Sequence, residues 1–182
     1  MLERQRYRYS DFPYYILKKF IEQHYDRTLD ELAQSHFYES LGANYTLYNP
    51  YYKISNKKIV PTEIDDYYRY QKVHGYVHDM GAAMQNGVGG HAGLFGDAYA
   101  VAAMMQMYLQ GGKYNGIHLL EKQVIDAFNY CYFCDRGGRR GIGFDKPQIE
   151  GKHQSTCGCV SNNSFGHSGY TGTYTWADPD EE

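Results

Sequence analysis

The chain has 182 residues, of which 42% are hydrophobic, and its 18 basic and 21 acidic side chains give a formal net charge of −3. This length and apolar fraction suffice for one globular domain. The small net charge excludes the global field that attracts nucleic acid, and no stretch reaches the ~18 apolar residues of a membrane helix. The first six residues are largely charged and have no apolar core, so we expect no signal peptide in this chain.

Two helices are predicted at the N-terminal end, followed by a long irregular region. Apolar residues recur at helical spacing over 13–25 behind a polar cap, and the capping box at 28–31 begins a second helix that ends near Leu41-Gly42. Residues 44–75 contain two prolines, many tyrosines and few periodic apolar positions. This composition predicts short strands and loops.

The C-terminal half is predicted to mix helices and strands. A glycine-rich segment at 81–96 leads into an apolar helix at 98–109, and a further helix is expected at 121–130. Residues 141–144 are predicted as a strand, and a closing strand is predicted around 170–177. The chain as a whole is therefore expected to be α/β.

The segment Gly87-Val88-Gly89-Gly90-His91-Ala92-Gly93 is rich in glycine but does not fit a nucleotide-binding loop. It lacks the lysine and hydroxyl residue of a P-loop, and no clear strand leads into it. A tight turn before the next helix is expected instead. The adjacent pair His78-Asp79 and the single His91 are expected to be structural, because neighbouring side chains do not easily face one small metal ion.

Four cysteines occur as Cys131-x-x-Cys134 and Cys157-x-Cys159. The pattern fits a zinc site in a small structural module, two disulfides or unlinked thiols. The second spacing is wrong for a regular zinc knuckle, and the redox compartment decides between disulfides and thiols. These alternatives remain open at the level of the sequence.

The segment from Phe165 to Tyr174 is typical of an active-site edge strand. His167, Ser168 and Gly169 precede a run of strand-forming residues, and a glycine allows a substrate carbonyl to lie against the backbone. The N–H of Tyr170 can then donate to a developing oxyanion. The alternative is an ordinary hairpin that carries a surface histidine.

Tyr9-Ser10-Asp11 lies immediately before the first predicted helix. A tyrosine whose pKa is lowered by nearby cations can take a proton from a serine nucleophile and return it to a leaving group. Arg6, Arg8 or His167 are the candidate sources of that positive charge. The alternative is a buried tyrosine beside a residue that caps the helix.

Together, these motifs resemble the serine beta-lactamase-like superfamily of penicillin-recognising enzymes and related esterases, in order and over nearly the whole chain. The matching segments are Tyr9-Ser10-Asp11 for Tyr-x-Asn, residues 28–42, His91-Ala92-Gly93-Leu94-Phe95, Leu109-Gln110-Gly111-Gly112, residues 141–144, and His167-Ser168-Gly169 for Lys-Thr-Gly or His-x-Gly. The resemblance implies a single partial domain over 1–182 with an α/β (α+β) fold. That domain comprises the helical region and part of an antiparallel sheet.

The resemblance also implies roles for individual residues. Tyr9 becomes the general base, His167 an electrostatic assistant, and the Tyr170 N–H part of the oxyanion hole. The residues implied for substrate binding are Asp11, Ser168 and Gly169. Asp11 replaces the usual asparagine and has only acceptor oxygens, which favours an esterase or amidase over a true beta-lactamase. No metal or cofactor is implied.

The nucleophile of the family is the serine of a Ser-x-x-Lys motif, on a buried helix upstream of Tyr-x-Asn. Only eight residues precede Tyr9, and Ser55-Asn56-Lys57-Lys58, which fits the pattern, lies between prolines without a helical apolar face. We therefore expect a fragment of a serine hydrolase, without the nucleophile helix and without a C-terminal strand and helix, that is inactive by itself. The alternative is a non-catalytic protein of the same fold that binds cell wall or carbohydrate through its tyrosines.

Three segments look like a bacterial subgroup that is sometimes fused behind a glycoside hydrolase family 3 domain. They are Val77-His78-Asp79, residues 89–95 and residues 165–173. The resemblance implies a periplasmic or extracellular setting, and a substrate that is a small ester or amide or a cell-wall peptide, attacked by acyl-enzyme chemistry.

Overall fold

The computed structural model describes residues 9–147 and 156–181, which group into two compact units, Tyr9–Ala100 and Val101 onward. The helices are α1 (Phe12–Tyr25), α2 (Leu29–Ala33), α3 (Met80–Ala83), α4 (Ala98–Leu109) and α5 (Lys122–Asn129). The strands are β1 (Leu47–Tyr48), β2 (Pro61–Asp65), β3 (Gln71–His74), β4 (Leu94–Phe95), β5 (Lys113–Tyr114), β6 (Ile117–His118), β7 (Phe165–Ser168) and β8 (Tyr174–Ala177).

Within these residues the strands form antiparallel pairs: β1 with β4, β2 with β3, β5 with β6, and β7 with β8. Mixed helices with small antiparallel sheets are the predicted fold class, which is confirmed. A single domain over 1–182 stays a prediction. Of the helices that the structure describes, none combines the length and the apolar surface needed to cross a bilayer.

Helix α1 begins where its sequence predicts. The carbonyl of Asp11 accepts the N–H of Tyr14 at 2.9 Å, and Pro13 fits the first turn because no N–H is needed there. The helix ends at Asp26, whose φ of 50° is left-handed. None of the residues of α1 is buried, so surface contacts rather than a deep apolar face hold it in place.

The second predicted helix is confirmed and includes a π-helical turn. The N–H of Thr28 donates to the Glu31 carboxylate at 3.2 Å, which completes the capping box. Beyond α2 the backbone continues as a π-helical turn over Gln34–Tyr38 and stops at Gly42, whose φ is 66°. Leu32 is the buried apolar residue of α2.

The irregular region forms short strands, as predicted, and the turn of the β2–β3 hairpin is built on Asp65. Its carboxylate accepts the N–H groups of Tyr67 at 3.2 Å and Tyr68 at 2.8 Å, and the Nε of Arg69 at 2.7 Å. The Arg69 bond, helped by the backbone N–H groups, outweighs burial and lowers the pKa of Asp65 to about 2.

The core of the second unit joins α4 to the β7–β8 hairpin. Met105, Phe165 and Ala177 are buried together, and Tyr108 and Phe144 pack against them. The Tyr108 and Phe144 rings meet edge to face with centroids 5.1 Å apart. This apolar packing fixes β7, the strand that carries the predicted edge-strand motif.

The predicted strand at 141–144 is wrong. Residues 142–144 bend, and the isolated β-bridges beside them join Asp145 to Arg140 and to Gly166. The N–H of Ile142 donates to the Phe128 carbonyl at 2.7 Å, and a side chain on Gly141 would collide with that same carbonyl. The end of α5 therefore takes the backbone donor that a strand would offer to a neighbouring strand.

The predicted closing strand begins later than expected, at Tyr174. Residues 169–173 form the turn between β7 and β8, in which the Gly169 N–H donates to the Thr173 carbonyl at 2.8 Å. Gly172 has a φ of 85°, which glycine adopts without strain. Tyr170 consequently lies in a turn and not in a strand.

The cysteines form two local disulfides, Cys131–Cys134 and Cys157–Cys159, whose Cα atoms are 5.6 and 5.5 Å apart. Both separations lie in the usual range for disulfides. No cysteine is free, so the chain adopts neither the zinc site nor the thiols that the sequence left open.

Candidate active site

Tyr9-Ser10-Asp11 forms the entry to α1 in the first unit. The Ser10 Oγ accepts the N–H of Phe12 at 3.2 Å, whereas the Asp11 side chain makes no capping bond. Tyr9 is 63% exposed, so the alternative of a buried tyrosine is wrong, and the N-cap position of α1 is Asp11. Arg6 and Arg8, the proposed cations, lie outside the described residues.

The structure brings Asp11 together with two residues that the sequence treated as structural, Asp79 and His91. Ligand-type atoms of the three side chains all lie within 4.8 Å of one another. The His91 Nε2 is 2.8 Å from the Asp79 Oδ1, and the His91 side chain is only 5% exposed. Because a carboxylate is only an acceptor, the His91 Nε2 carries the proton and donates it.

Asp79 is held from a second side as well. It caps α3, accepting the N–H of Ala82 on Oδ1 at 2.6 Å. Burial raises the pKa of Asp79, but the hydrogen bonds from Ala82 and His91 outweigh it and lower the pKa overall. The Asp79 carboxylate therefore stays ionised at neutral pH.

Tyr15, one turn into α1, completes this group, which we call the Asp11 cluster (Asp11, Tyr15, Asp79 and His91). Its ring meets the His91 ring edge to face at 4.9 Å. Burial, and then the charges of Asp79 and Asp11, raise the pKa of the Tyr15 hydroxyl, so it remains a donor at neutral pH. A side chain on Gly81 would overlap that hydroxyl, so α3 approaches α1 only because this position is glycine.

The Asp11 cluster is the part of the described chain in which one metal ion can reach several side chains. The hydrogen bond between Asp79 and His91 already uses one acceptor oxygen and one ring nitrogen. A bound metal ion therefore has to replace that bond. We assign the cluster no metal.

The second predicted group lies on the β7–β8 hairpin in the second unit. The His167 Nδ1 is 2.7 Å from the Ser168 carbonyl, and its Nε2 is 2.9 Å from the Arg140 Nη1. Arginine has only donors, so the His167 Nε2 accepts and its Nδ1 carries the proton. His167 is therefore neutral in this arrangement, and the positive charge beside it belongs to Arg140.

Arg140 is one of two arginines that share a buried carboxylate. Its Nη2 is 2.7 Å from the Asp145 Oδ1, and the Arg139 Nη1 is 3.0 Å from the Oδ2. The Asp145 side chain is 3% exposed. Two guanidinium groups against one carboxylate leave a net positive charge next to His167, a source of charge that the sequence reasoning missed.

Ser168 and Gly169 end β7 and begin the turn. Ser168 is exposed and pairs in register with Tyr174 across the hairpin. A side chain on Gly169 would collide with the Thr173 hydroxyl, so the close approach of Thr173 requires glycine here. Tyr170 is 78% exposed in this turn, and the role of its N–H in an oxyanion hole stays a prediction.

The one Ser-x-x-Lys sequence in this chain does not form a nucleophile site. Ser55 precedes a 3-10 turn of three residues, Asn56–Lys58, and is exposed together with both lysines. A family nucleophile lies on a buried helix. The prediction that Ser55 is not the nucleophile agrees with this geometry.

Sequence comparison defines the class of protein. A sequence model described as Beta-lactamase matches residues 3–182. The chain therefore belongs to the beta-lactamase family, as its motif order predicted.

Among its relatives, a protein of Salmonella gallinarum that is provisionally named a D-alanyl-D-alanine carboxypeptidase is 31% identical over 97% of this chain, which spans 43% of that protein. The octameric penicillin-binding protein homologue of Pyrococcus abyssi has a TM-score of 0.65 at 17% identity, over 97% of this chain and 36% of its own. A penicillin-binding protein homologue of Caulobacter crescentus has a TM-score of 0.60 at 19% identity, over 93% and 48%. The chain thus spans less than half of each.

Proposed function

We propose that this chain is part of a serine hydrolase that removes the terminal residue of a D-alanyl-D-alanine peptide through an acyl-enzyme. The observation that carries the proposal is the match to the Salmonella gallinarum protein along 97% of this chain at 31% identity. Because the chain spans 43% of that protein, the proposed activity belongs to a longer form that supplies the nucleophilic serine.

In this proposal Tyr9 is the general base. Its exposed side chain at the entry to α1 takes the proton of the serine hydroxyl as the oxygen attacks the peptide carbonyl. The same proton then passes to the nitrogen of the leaving D-alanine. Water hydrolyses the acyl-enzyme, and the Tyr170 N–H stabilises the oxyanion in both steps.

Arg140 suits the recognition of a peptide carboxylate. Its positive charge beside His167 and Ser168 is matched to the terminal carboxylate of such a peptide. His167 holds Arg140 in place through its Nε2 in this assignment. Ser168 and Gly169 contribute the edge along which the peptide lies.

Asp11 supports a preference for substrates that present a donor. Its carboxylate accepts from an amide N–H or from the ammonium of a lysine in the nucleophile motif, which an asparagine would do with one oxygen only. Unlike an asparagine, Asp11 has no N–H to donate to a substrate carbonyl, so an esterase or amidase is proposed rather than a true beta-lactamase.

The disulfides support an exported protein. Cys131–Cys134 and Cys157–Cys159 persist in an oxidising compartment, such as the periplasm or the cell exterior. Fusion to a glycoside hydrolase domain in a longer form is part of the same proposal.

A non-catalytic role in cell-wall binding is the second candidate. Large aromatic rings are exposed around the β2–β3 hairpin, namely Tyr52, Tyr67, Tyr68 and Tyr70. Such rings stack on sugars. Saturable binding to cell-wall material without hydrolysis favours this function.

The test begins with the gene upstream of codon 1, read in every frame for an extension that encodes Ser-x-x-Lys on a helical pattern. The longest encoded form is then assayed for release of D-alanine from a peptide ending in D-alanyl-D-alanine. We expect Tyr9→Phe to lower kcat at least ~100-fold, a typical contribution of a general base. The control Tyr25→Phe, at the far end of α1, should leave turnover unchanged.

Three outcomes contradict the proposal. Unchanged turnover in Tyr9→Phe removes the assignment of the general base. Binding of the peptide or of cell wall with no release of D-alanine favours the binding protein. The 182-residue chain alone should give no covalent adduct with a fluorophosphonate, and stoichiometric labelling of any of its serines would show that the nucleophile has been misplaced.

A further inference from the structure

We infer that the hydrogen-bonded pair of Asp79 and His91 positions Asp11, and through it the Tyr9-Ser10-Asp11 turn, for the reaction proposed above. In this assignment the pair contacts no reacting atom. Asp79 and His91 are therefore positioning residues and not catalytic ones. The inference depends on the proposed function only for its kinetic consequence.

Helix α1 has no buried apolar side chain that would fix its position. None of its residues is buried, and it makes directed contacts with the segment from Gln85 to His91. Lys18 Nζ donates to the Val88 carbonyl at 2.6 Å, and the Tyr15 ring meets His91. The position of α1 is thus set by a few directed contacts, each of which matters.

The backbone of Asp11 is bonded to the first turn of α1. The Asp11 carbonyl receives the N–H groups of Tyr14 and Tyr15 at 2.9 and 3.4 Å, so Asp11 moves with the first turn of α1. Its carboxylate does not cap that turn and lies instead in the Asp11 cluster, within 4.8 Å of the Asp79 and His91 ligand atoms. A shift of Asp11 therefore shifts Tyr9, two residues away.

The Asp11 and Asp79 carboxylates carry like charges at close range. Two carboxylates as close as those of Asp11 and Asp79 repel each other unless donors lie between or beside them. The His91 Nε2–H is such a donor, 2.8 Å from the Asp79 Oδ1, and the low exposure of His91 strengthens its effect. Removing the imidazole leaves the Asp11 carboxylate facing Asp79 with less compensation, so Asp11 is expected to move away.

The geometry also identifies which part of the imidazole matters. The Nε2 contacts Asp79, whereas the Nδ1 is buried without a hydrogen-bond partner among the described residues. A glutamine at position 91 keeps an N–H donor near Nε2 and gives up the ring. A leucine keeps comparable bulk and has no donor. His91→Gln and His91→Leu therefore separate donation from packing.

The test on the 182-residue chain is a double-mutant cycle between Asp11→Asn and His91→Leu, with thermal and urea unfolding as readouts. We expect the two effects on the unfolding equilibrium constant not to multiply, since Asp11 has already lost its charge in the double variant. A parallel cycle with the exposed His118→Leu in the second unit should multiply. Amide NMR signals of Ser10 and Phe12 should shift in His91→Leu and return in His91→Gln.

The kinetic test uses the longest active form of the protein. We expect His91→Leu to lower kcat about tenfold with little change in KM, and His91→Gln to restore most of the loss. Activity is counted per folded molecule, so a loss of stability alone does not move this readout.

Independent effects in the Asp11 and His91 cycle, or unshifted Ser10 and Phe12 signals in a folded His91→Leu chain, would overturn the inference. These measurements need no enzymatic activity. Absence of turnover in every form would overturn the proposed function, and the cycle would still decide whether His91 positions Asp11.

Discussion

Arg140 donates from Nη1 to the Nε2 of His167 at 2.9 Å and fixes the imidazole as its Nδ1-protonated, neutral tautomer. A histidine in the position of the family's basic residue is thus paired with a permanent cation that lies 27 residues earlier in the chain. The charge that the sequence assigned to His167 is supplied by Arg140, and Arg140 is in turn held by Asp145.

We expect Arg140→Met to change the protonation of the His167 ring nitrogens. Without the guanidinium donor, the Nε2 can take a proton while the Ser168 carbonyl still accepts the Nδ1 proton, so long-range ¹⁵N NMR should show Nε2 protonation in Arg140→Met that is absent from the parent. The buried Asp145 also loses one partner, which should lower the free energy of unfolding by about 1–3 kcal/mol. Arg136→Met, which removes an exposed arginine, is the control, and an unchanged His167 pattern in Arg140→Met would contradict the assignment.

Asp65 should make the first unit sensitive to acid. Its pKa is lowered to about 2, first by Arg69, so its contribution is present above the ordinary carboxyl pKa and is lost as the pH falls from about 4 through 2. In Asp65→Asn this part of the pH dependence should disappear when Tm is followed by circular dichroism. Asp66→Asn, an exposed neighbour, should keep it. Equal acid profiles for the parent and Asp65→Asn would refute this account of the β2–β3 turn.

Lys146 should add a second pH-dependent contribution, at alkaline pH, that also increases stability as the pH rises. Burial lowers its pKa to about 8, against the smaller opposing effects of Asp178 and Asp180. The unfolded chain then binds more protons than the native one between about pH 8 and 10.5, so this residue's unfavourable contribution is relieved as the pH rises. The stability of the parent relative to Lys146→Met should increase over that window. Lys122→Met removes an exposed lysine and should show no such trend.

The disulfides should be detectable by alkylation. The four cysteines should resist iodoacetamide in the folded and the denatured chain until a reductant is added. Because each bond closes a very short loop, reduction should cost only about 2 kcal/mol per bond in a chain-entropy description. Peptide mapping that finds a link between the two pairs, or alkylation without reductant, would contradict the pairing.

The sequence predicted much of the local structure correctly. The capping box at 28–31 and the periodic segments at 13–25 and 98–109 correspond to helices in the structure. Helix capping and amphipathic periodicity depend on residues within a few positions of each other, so the sequence alone can predict them. The order of the motifs was also sufficient to identify the family.

The sequence patterns predicted the wrong structure where contacts or turns outside the segment decided its conformation. Residues 141–144 have the composition of a strand, but the Phe128 carbonyl captures the Ile142 N–H. The glycine at 172 turns the chain before β8 begins, which shortens the predicted closing strand. In both places the competing partner or the required φ is set by neighbouring elements rather than by the segment itself.

The sequence by itself determined the family, the helices α1, α2, α4 and α5, and the location of the two candidate motifs. Only the tertiary structure decided that Asp79 and His91 join Asp11, that Arg140 fixes His167, and that each cysteine pairs with its nearest neighbour. Spacing along the chain gives no measure of such contacts, because turns and glycines with left-handed φ decide which distant side chains meet. Charge and hydrogen bonding then select their protonation and orientation, since a buried donor or acceptor is costly without a partner.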